Sequence, residues 1–399
     1  MKILVISTWF PYPLSIGSKI RAYHLIKELA KEHRVALISF ADTPIQPEWI
    51  DHLSQFCQKV VIVPRHPFKH DRLKKFLGWF SWLPSAVVGG FSKEMADQTR
   101  SLAAEWEPEC VFALTFVTAP YARMISNVSK VLDVDYLMSR MLYEAYLSES
   151  LSLKRVRRWL AWKKFQNYEQ RLYPQFDNCL VVSDQDRDAF RELIPFKAEH
   201  VLVVSNGIDS QFAHPGLAEP VPGSLVFNGA LTYQANFDAM DYFLREIFPS
   251  ILAQVPDTQL SITGSNLGVS LDALPSNDHV AFTGYLEDIR PAVAGSWACI
   301  VPLRVGGGTR FKILEAMALG TPVVSTSKGA EGLEIEPGKH LLIADTPEEF
   351  AAQTVRLLRN SELRNTLATN AARLVNEKYE WTKTAENLRD LVDSLALAH

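Results

Sequence analysis

Two doubly wound α/β domains with parallel sheets are the fold class that the sequence predicts. A chain of 399 residues is longer than one hydrophobic core normally supports. Both halves alternate short apolar strands with helical stretches, the pattern of parallel sheets with helices on both faces. The charge also changes near residue 205. Residues 1–205 carry a net charge of +5 and residues 206–399 a net charge of −9. The chain is therefore predicted to divide there.

Twelve apolar segments are predicted to be strands. The first half contains KILVIST, RVALISF, KVVIVP, CVFAL, KVLDVD and NCLVVS. The second half contains SLVFNG, QLSITG, HVAFTG, ACIVPL, PVVST and HLLIA. Near-continuous apolar runs of this kind are typical of strands that are covered on both faces.

Composition limits the class of protein. The hydrophobic fraction of 47% and the charged fraction of 22% are ordinary for a globular protein. No apolar stretch approaches the roughly 18 residues that a membrane-spanning helix needs. The N-terminal MKILVISTWF continues directly into a strand pattern, so we do not interpret it as a signal peptide. The four cysteines form no C-x-x-C pair or metal pattern. We expect reduced, buried thiols in a cytoplasmic protein.

The segment from Ala298 to Ser325 contains the most informative motif. ACIVPL predicts a buried strand, and Gly306, Gly307 and Gly308 allow a ligand to approach the backbone closely. Arg310 and Lys312 follow at the start of a predicted helix. Free N–H groups and two cations there could bind a phosphate. Glu315, three residues beyond Lys312, could accept hydrogen bonds from sugar hydroxyls. The alternative is a packed βαβ unit whose polar residues are only solvated.

GGGTRFKILEAMALGTPVV resembles the donor-site segment of retaining GT-B glycosyltransferases, the large bacterial family four. The resemblance implies that Glu315 binds the ribose hydroxyls of a nucleotide. The family usually has another glutamate eight residues earlier, where this chain has Gly307. The chain is closer to a branch with the pattern GGGTR-x-K-x-LEAMA. In that branch, the sugar contacts are expected from the backbone of Gly306, Gly307, Gly308 and Thr309.

The resemblance also implies the domain organisation, two Rossmann-like domains that face a central cleft. Residues 1–205 would form the acceptor-side domain and residues 206–380 the nucleotide-sugar domain. VVSNGIDSQFAHP resembles the family's inter-domain segment. Residues 381–399 are expected to form a helix that returns to the first domain. Its packed stripe would contain Trp381, Leu388, Leu391, Val392 and Leu395.

Other loops supply further candidate donor contacts by resemblance. The loop after the first strand lacks G-x-G-x-x-G, which argues against a nicotinamide dehydrogenase, and its Gly17 would approach the donor phosphates. Arg21 and His24 follow on the next helix and either face the site or are a surface ion-pairing arginine and a packed histidine. VFNGALTYQANFDAM and GYLEDIRP provide the remaining candidates: Asn228, Gly229, Tyr233, Asn236 and Leu286. Asn236 could instead cap a helix, and Asp288 is expected to be structural.

Charge and catalysis leave several alternatives open. The loop 230–236 lacks the basic residues of many relatives, so Arg310 and Lys312, with Arg304, would supply the positive charge. Asp133 and Asp135 end a strand and lie on the same face of it, where relatives have a histidine. They are either catalytic or cap loops and helices. The sequence has no evident nucleophilic triad. That absence suits retaining transfer, in which the departing diphosphate takes the acceptor's proton and the enzyme stabilises charge.

Two basic, aromatic stretches, 69–84 and 154–172, are the candidates for peripheral contact with an anionic membrane. Trp159, Trp162, Phe165 and Tyr168 recur every three residues and do not form a fixed stripe. Packing against the domain is therefore the alternative. Nucleic acid is not an expected partner, because the net charge is −4 and no binding motif is present.

The sequence therefore predicts a cytoplasmic glycosyltransferase, located at the inner face of the membrane if either basic stretch binds lipid. It would move a sugar from a nucleoside diphosphate sugar to a saccharide or lipid-linked acceptor in cell-surface glycan synthesis, with retention. No metal and no cofactor are expected. The alternatives are another GT-B enzyme, such as a nucleotide-sugar epimerase or a phosphorylase, and a non-enzymatic nucleotide-sugar-binding module.

Overall fold

The structure is a computed structural model that describes residues 1–65, 81–147, 149, 152–308 and 310–397. The chain forms two compact units. The first contains residues 1–205 and 385–399, and the second contains residues 206–384. Among the described residues, no helix combines the length and apolar character that crossing a bilayer requires.

The first unit is built on a sheet of seven parallel strands in the order β3-β2-β1-β4-β5-β6-β7. The strands are β1 Lys2–Ser7, β2 Arg34–Ala41, β3 Cys57–Pro64, β4 Cys110–Leu114, β5 Ser129–Asp133, β6 Asn178–Val181 and β7 Val201–Val203. The strand order reverses between β1 and β4. In open parallel sheets, ligands bind at such a switch point, outside the carboxyl ends of the strands.

Helices cover both faces of this sheet. They are α1 Gly17–Leu29, α2 Pro47–Leu53, α3 Ser85–Gly90, α4 Lys93–Trp106, α5 Ala119–Ala122, α6 Met138–Leu147, α7 Leu153–Leu172 and α8 Asp184–Leu193, with 3₁₀ turns at Tyr173–Gln175 and Pro195–His200. Serine hydroxyls cap several of them. Ser92, Ser152 and Ser183 each accept a hydrogen bond from a first-turn N–H group. Such caps satisfy N–H groups that have no partner within the helix.

The second unit has a sheet of six parallel strands in the order β10-β9-β8-β11-β12-β13. The strands are β8 Val221–Asn228, β9 Gln259–Thr263, β10 Val280–Gly284, β11 Ser296–Val301, β12 Val323–Ser325 and β13 Leu342–Ile343. The helices are α9 Gln234–Tyr242, α10 Phe248–Leu252, α11 Arg290–Ala294, α12 Phe311–Ala318, α13 Pro347–Arg359, α14 Ser361–Lys378 and α15 Trp381–Thr384. A π-helical turn, Phe243–Ile247, joins α9 to α10, and Leu271–Ala273 is a 3₁₀ turn. Here the strand order reverses between β8 and β11.

The last helix, α16 (Glu386–Leu397), packs in the first unit. Leu388, Leu391 and Val392 are buried in the apolar cluster that covers one face of the first sheet. Arg389 forms an ion pair with Glu28 of α1, with 3.0 Å between Nη1 and Oε2. The tail is thus held to the first unit by apolar burial and by an ion pair.

The predicted fold class, two doubly wound α/β domains, is confirmed, and all twelve predicted strands are present. The short strand β7 was not predicted, because the three residues of Val201–Val203 precede a turn-rich segment. The prediction for Trp381 was wrong. It lies in α15 of the second unit, not on the stripe of the last helix, and its N–H group donates to the carbonyl of Ile208. Residues 69–80, part of one predicted membrane stretch, lie outside the described residues.

Candidate functional site

The candidate site in the second unit lies at the switch point of its sheet. Strands β8 and β11 are neighbours, and both run in the same direction. Asn228 ends β8, and the glycine loop 306–308 follows β11 before α12 begins. The predicted donor-site segments therefore meet at the carboxyl ends of two adjacent strands.

The glycine loop has a backbone that other residues would adopt only with strain. Gly306 and Gly308 have φ angles of 108° and 82°. A Cβ atom at Gly307 or Gly308 would meet no other atom within 4 Å, so open space adjoins the loop there. A Cβ atom at Gly306 would lie 3.4 Å from the hydroxyl oxygen of Tyr233. Tyr233 itself is 48% exposed. Thr309, the next predicted donor contact, lies outside the described residues.

The guanidinium of Arg310 stabilises the glycine loop by hydrogen bonds to backbone carbonyls. Its side chain is 6% exposed and its Nη2 atom donates to the carbonyls of Gly306 and Lys328, each at 2.9 Å. Glu331 lies 3.5 Å from the same nitrogen. Arg310 is the residue before the first turn of α12, not part of that turn. The Nη2 donors are thus used by backbone carbonyls, and Arg310 stabilises the glycine loop.

Lys312 lies in the first turn of α12, and its ammonium group reaches the loop after β8. Nζ donates to the side-chain oxygen of Asn236 at 2.7 Å and lies 4.1 Å from the centre of the Phe227 ring. A Cβ atom at Gly229 would be only 2.7 Å from Nζ, so the amine occupies space that only glycine leaves free. Burial and, to a smaller extent, the charge of Arg310 lower the pKa of Lys312 to about 7, although Cys299 and Glu315 oppose the shift.

The carboxylate of Glu315 is oriented by Asn228, the last residue of strand β8. The side-chain amide of Asn228 donates to Glu315 Oε2 at 2.8 Å and to the carbonyl of Lys312 at 3.1 Å. Glu315 remains partly exposed at the surface of the unit. Burial raises the pKa of this carboxyl, and Asp288 adds to the rise, while the Asn228 hydrogen bond, Arg290 and Lys312 lower it. The geometry places a carboxylate and an ammonium one helical turn apart.

The turn after β10 carries a separate ion pair. Asp288 accepts two hydrogen bonds from the Arg290 guanidinium, each at 2.8 Å, and one from the Arg290 N–H group at 3.0 Å. Asp288 therefore stabilises the turn, as expected. Leu286, the predicted base contact, is half-buried two residues earlier. Arg304 pairs with Asp238 of α9, with 2.8 Å between Nη2 and Oδ1, so its charge is already matched by a carboxylate.

Polar residues also gather at the carboxyl edge of the first sheet. Asp133 forms a bidentate ion pair with Arg21 of α1, with donor–acceptor distances of 2.6–3.0 Å. Both side chains are 2% exposed. Arg21 does form an ion pair, but the pair is buried and does not lie at the surface. Its side chain is not accessible to a ligand. His24 is 5% exposed, so it is a packed histidine, the second of the two predicted alternatives.

Asp135 lies two residues beyond Asp133 and has different partners. The hydroxyl of Ser18 donates to Asp135 Oδ2 at 2.9 Å. Burial raises the pKa of Asp135, the carboxylates of Asp133 and Asp186 add to the rise, and Arg21 lowers it. Gly17 begins α1 next to Ser18. The first turn of α1 and the end of β5 thus meet at this edge.

Sequence reasoning missed one strained residue at the switch point of the first sheet. Thr115 follows β4 and has a φ angle of 75°, a left-handed conformation that is unfavourable for a β-branched residue. Its hydroxyl shares a 2.8 Å hydrogen bond with that of Thr8, which follows β1. Backbone strain of this kind concentrates at functional sites. No sequence signal marks it, because threonine does not predict positive φ.

Comparisons with known proteins match both units. Residues 17–207 match the glycosyl transferase 4-like domain model, and residues 222–360 match the model of glycosyl transferases group 1. Together the two models span most of the chain and fall on its two sheets. The chain belongs to the GT-B glycosyltransferases.

Relatives and solved structures agree with this membership. An uncharacterised 44.6 kDa protein in the cps region of Klebsiella pneumoniae is 23% identical over 97% of this chain and 98% of that protein. Sucrose-phosphate synthase from Thermosynechococcus elongatus aligns with a TM-score of 0.76 and 18% identity, covering 100% of both chains. Anabaena HepE, solved with UDP, aligns with a TM-score of 0.67 and 16% identity, covering 99% of this chain and all of the other. At such identities, the structural matches show the fold alone.

The arrangement in the second unit of this glycosyltransferase offers complementary chemistry within one helix. An ammonium group can neutralise phosphate oxygens, and a carboxylate can accept hydrogen bonds from vicinal hydroxyls. The glycine loop that precedes this helix has open space next to Gly307 and Gly308. Asn228 and Asn236 hydrogen-bond to Glu315 and Lys312 in this structure, and their contact with a donor stays a prediction.

Proposed function

We propose that this glycosyltransferase transfers a sugar from a nucleoside diphosphate sugar to a saccharide or lipid-linked acceptor, with retention at the anomeric carbon. One observation carries the proposal. At the switch point of the second sheet, the Lys312 ammonium and the Glu315 carboxylate lie on one helix beside the open glycine loop. The ammonium group is complementary to a diphosphate, and the carboxylate is complementary to the ribose hydroxyls.

In the proposed complex, Glu315 accepts hydrogen bonds from the ribose hydroxyls and Lys312 neutralises the diphosphate. The backbone N–H groups of the glycine loop, Gly306 to Thr309, contact the phosphates and the sugar. Leu286 is proposed to contact the base and Tyr233 the donor. The supporting comparison is Anabaena HepE, whose solved complexes contain UDP and UDP-glucose.

Three residues are proposed to act by positioning. Arg310 fixes the loop carbonyls, Asn228 orients Glu315, and Asn236 orients Lys312. Stabilisation of the leaving diphosphate then falls mainly to Lys312, because Arg304 and Arg310 are paired with carboxylates. We propose that no metal and no cofactor take part, since the ammonium group and the helix N-terminus supply positive charge.

The first unit is proposed to bind the acceptor. Of the two predicted carboxylates, Asp133 is neutralised by Arg21, whereas Asp135 accepts a hydrogen bond from the neutral hydroxyl of Ser18 at 2.9 Å. Asp135 is therefore the residue that we assign to the acceptor side, with Gly17 next to it at the start of α1. The relative in the cps region of Klebsiella pneumoniae supports a role in cell-surface polysaccharide synthesis. Such a role fits an enzyme in the cytoplasm at the inner face of the membrane.

The decisive experiment incubates the purified protein with a panel of nucleoside diphosphate sugars, with and without saccharide acceptors, and follows release of nucleoside diphosphate. NMR of the product reports the anomeric configuration, and added EDTA tests metal independence. We expect diphosphate release that Lys312→Gln abolishes and that Glu287→Gln, a change at an exposed neighbouring carboxylate, leaves intact.

Other outcomes identify the alternatives. Donor binding without any release would assign the protein as a binding module. Conversion of one nucleotide sugar into another would assign an epimerase, and phosphate-dependent release of a sugar phosphate a phosphorylase. An inverted product would contradict the proposed retention.

A further inference from the structure

The helical hairpin of α6 and α7 presents an apolar surface to solvent. Leu153 is 90% exposed, Val156 56%, Trp159 41% and Leu160 43%. At about 100° per residue, these four side chains fall within a sector of about 120° on the helix. This is a fixed stripe, and three of its members are not among the aromatic residues that the sequence analysis considered. Tyr143 and Leu147 on α6 add further exposed apolar area.

The hairpin is held in place from its inner side. Trp162 packs against Tyr143 and Tyr146, with ring centroids 4.5 and 5.9 Å apart. Arg158 donates to the carbonyl of Ala145 at 2.6 Å and pairs with Glu149 at 3.0 Å. The second half of α7 is anchored in the core of the unit by Phe165, Tyr168 and Leu172. The exposed stripe therefore belongs to an ordered helix.

Positive charge lies beside the stripe. Helix α7 contains seven lysines and arginines and one acidic residue, Glu169, which is fully buried. Lys154 and Arg157 are exposed next to the stripe, and neither has an acidic partner among the residues that the structure describes. Arg155 and Arg158, by contrast, turn inward to Tyr146 and Glu149.

We propose that this stripe, with Lys154 and Arg157, docks on the surface of an anionic lipid bilayer. An exposed apolar stripe with cationic side chains beside it matches the boundary between headgroups and acyl chains. A tryptophan at that depth is favourable for the same reason. An acidic protein partner would match the cations but leave Leu153 and Val156 without apolar contacts. The inference deepens the proposed function, because a membrane surface brings a lipid-linked acceptor to the enzyme.

The test uses the full chain and vesicles of phosphatidylcholine with or without phosphatidylglycerol, and measures sedimentation with the vesicles. We expect binding to the anionic vesicles that salt weakens. Lys154→Glu with Arg157→Glu should lower the partition coefficient at least about 25-fold, since each cation contributes about fivefold. Leu153→Ser with Leu160→Ser should also lower the partition coefficient. The matched control, Lys93→Glu with Arg373→Glu, changes the net charge equally at exposed sites elsewhere and should still bind.

A second measurement locates the contact. All four native cysteines are buried, so Val156→Cys introduces the accessible thiol for an environment-sensitive dye. We expect a blue shift with anionic vesicles, and none for a dye on Ser361→Cys in the second unit. Equal binding to neutral vesicles, or loss of binding in the control, overturns the proposal. The proposal is also overturned if the wild type does not bind vesicles but forms dimers at high concentration, and if the stripe variants abolish those dimers. Nucleotide binding, measured without vesicles, should be unchanged in every variant. Its absence from the wild type would refute the enzymatic proposal alone.

Discussion

The ammonium group of Lys312 donates to the side-chain oxygen of Asn236 at 2.7 Å, across the loop that follows β8. The Asn236 amide group in turn donates to the carbonyl of Ala230 at 2.8 Å, which fixes its orientation. Lys312 is thus held by a neutral partner. A cation without a carboxylate in direct contact is destabilised by burial and gains when an anion arrives.

This relationship predicts proton uptake when nucleotide binds. With its pKa lowered to about 7, Lys312 is mostly neutral at alkaline pH in the free protein. A bound diphosphate favours the charged form and raises the pKa. At about pH 8.5 we expect UDP binding to take up close to one proton. Calorimetric titrations in two buffers of different ionisation enthalpy measure this number. Lys312→Met should remove the buffer dependence, and Lys339→Met, at a surface ion pair, should retain it.

The same lowered pKa predicts how stability changes with pH. Between about pH 7 and the ordinary lysine pKa of about 10.4, the unfolded chain binds more protons at Lys312 than the native state does. The contribution of Lys312 to the free energy of unfolding therefore rises with pH across this window. The difference between wild type and Lys312→Met, measured by urea unfolding at several pH values, isolates it. A difference that stays constant or falls would contradict the assigned environment.

Glu315 is predicted to recognise the ribose hydroxyls. Glu315→Gln keeps the shape of the side chain but removes its charge, which should cost roughly 1.5–3 kcal/mol of nucleotide binding per lost hydrogen bond. The wild type should lose a similar binding free energy when the nucleotide lacks both ribose hydroxyls. The two changes together should cost little more than either alone, as expected for one shared contact. Additive losses would place the ribose elsewhere, and Glu287→Gln should have no effect.

The buried Arg21–Asp133 pair is predicted to be a stability element of the first unit. Arg21→Met or Asp133→Leu each leaves an unmatched buried group and should cost roughly 3–5 kcal/mol. The double variant Arg21→Met with Asp133→Leu should lose less than the sum. Arg100→Met, which breaks an exposed pair with Asp97, should change stability by less than about 1 kcal/mol. Chemical unfolding of each variant gives these values, and strict additivity would argue against coupling.

The fold could be predicted from the sequence because the strands are continuous apolar runs. ACIVPL, for example, corresponds to β11, whose last four residues are all fully buried. The glycine loop and Glu315 could be predicted too, since glycines between a strand and a helix, with a carboxylate one turn later, are typical of a ligand-binding loop. The hydrophobic pattern thus predicts the strands, and the run of glycines predicts the position of the loop between β11 and α12.

The orientation of individual side chains could not be predicted in this way. Arg310 and Lys312 are two residues apart and chemically similar, yet one braces loop carbonyls and the other reaches Asn236. The sequence also does not show that the side-chain amides of Asn228 and Asn236 contact Glu315 and Lys312. The contacts of Lys312 and Glu315 depend on partners 76 and 87 residues away in the chain. Sequence spacing along one helix does not contain that information.

The last prediction concerns α16. Leu388 and Val392 are fully buried against the first sheet, and the side chain of Asn387 donates to the carbonyl of Val203 at 2.8 Å. Leu388→Ala should therefore cost roughly 2–5 kcal/mol in the first unit. Amide exchange should accelerate in β1, β2 and α1 and stay slow in β8 to β11.

Asp393→Ala, on the exposed face of α16, is the control for this variant and should leave exchange unchanged. UDP affinity should also persist in Leu388→Ala, because the contacts proposed for Glu315 and Lys312 lie in the second unit. Turnover should fall, because the first unit, which is proposed to bind the acceptor, is destabilised. Equal acceleration of exchange in both sheets would show that the tail stabilises the two units together, and unchanged turnover would show that its packing does not matter to transfer.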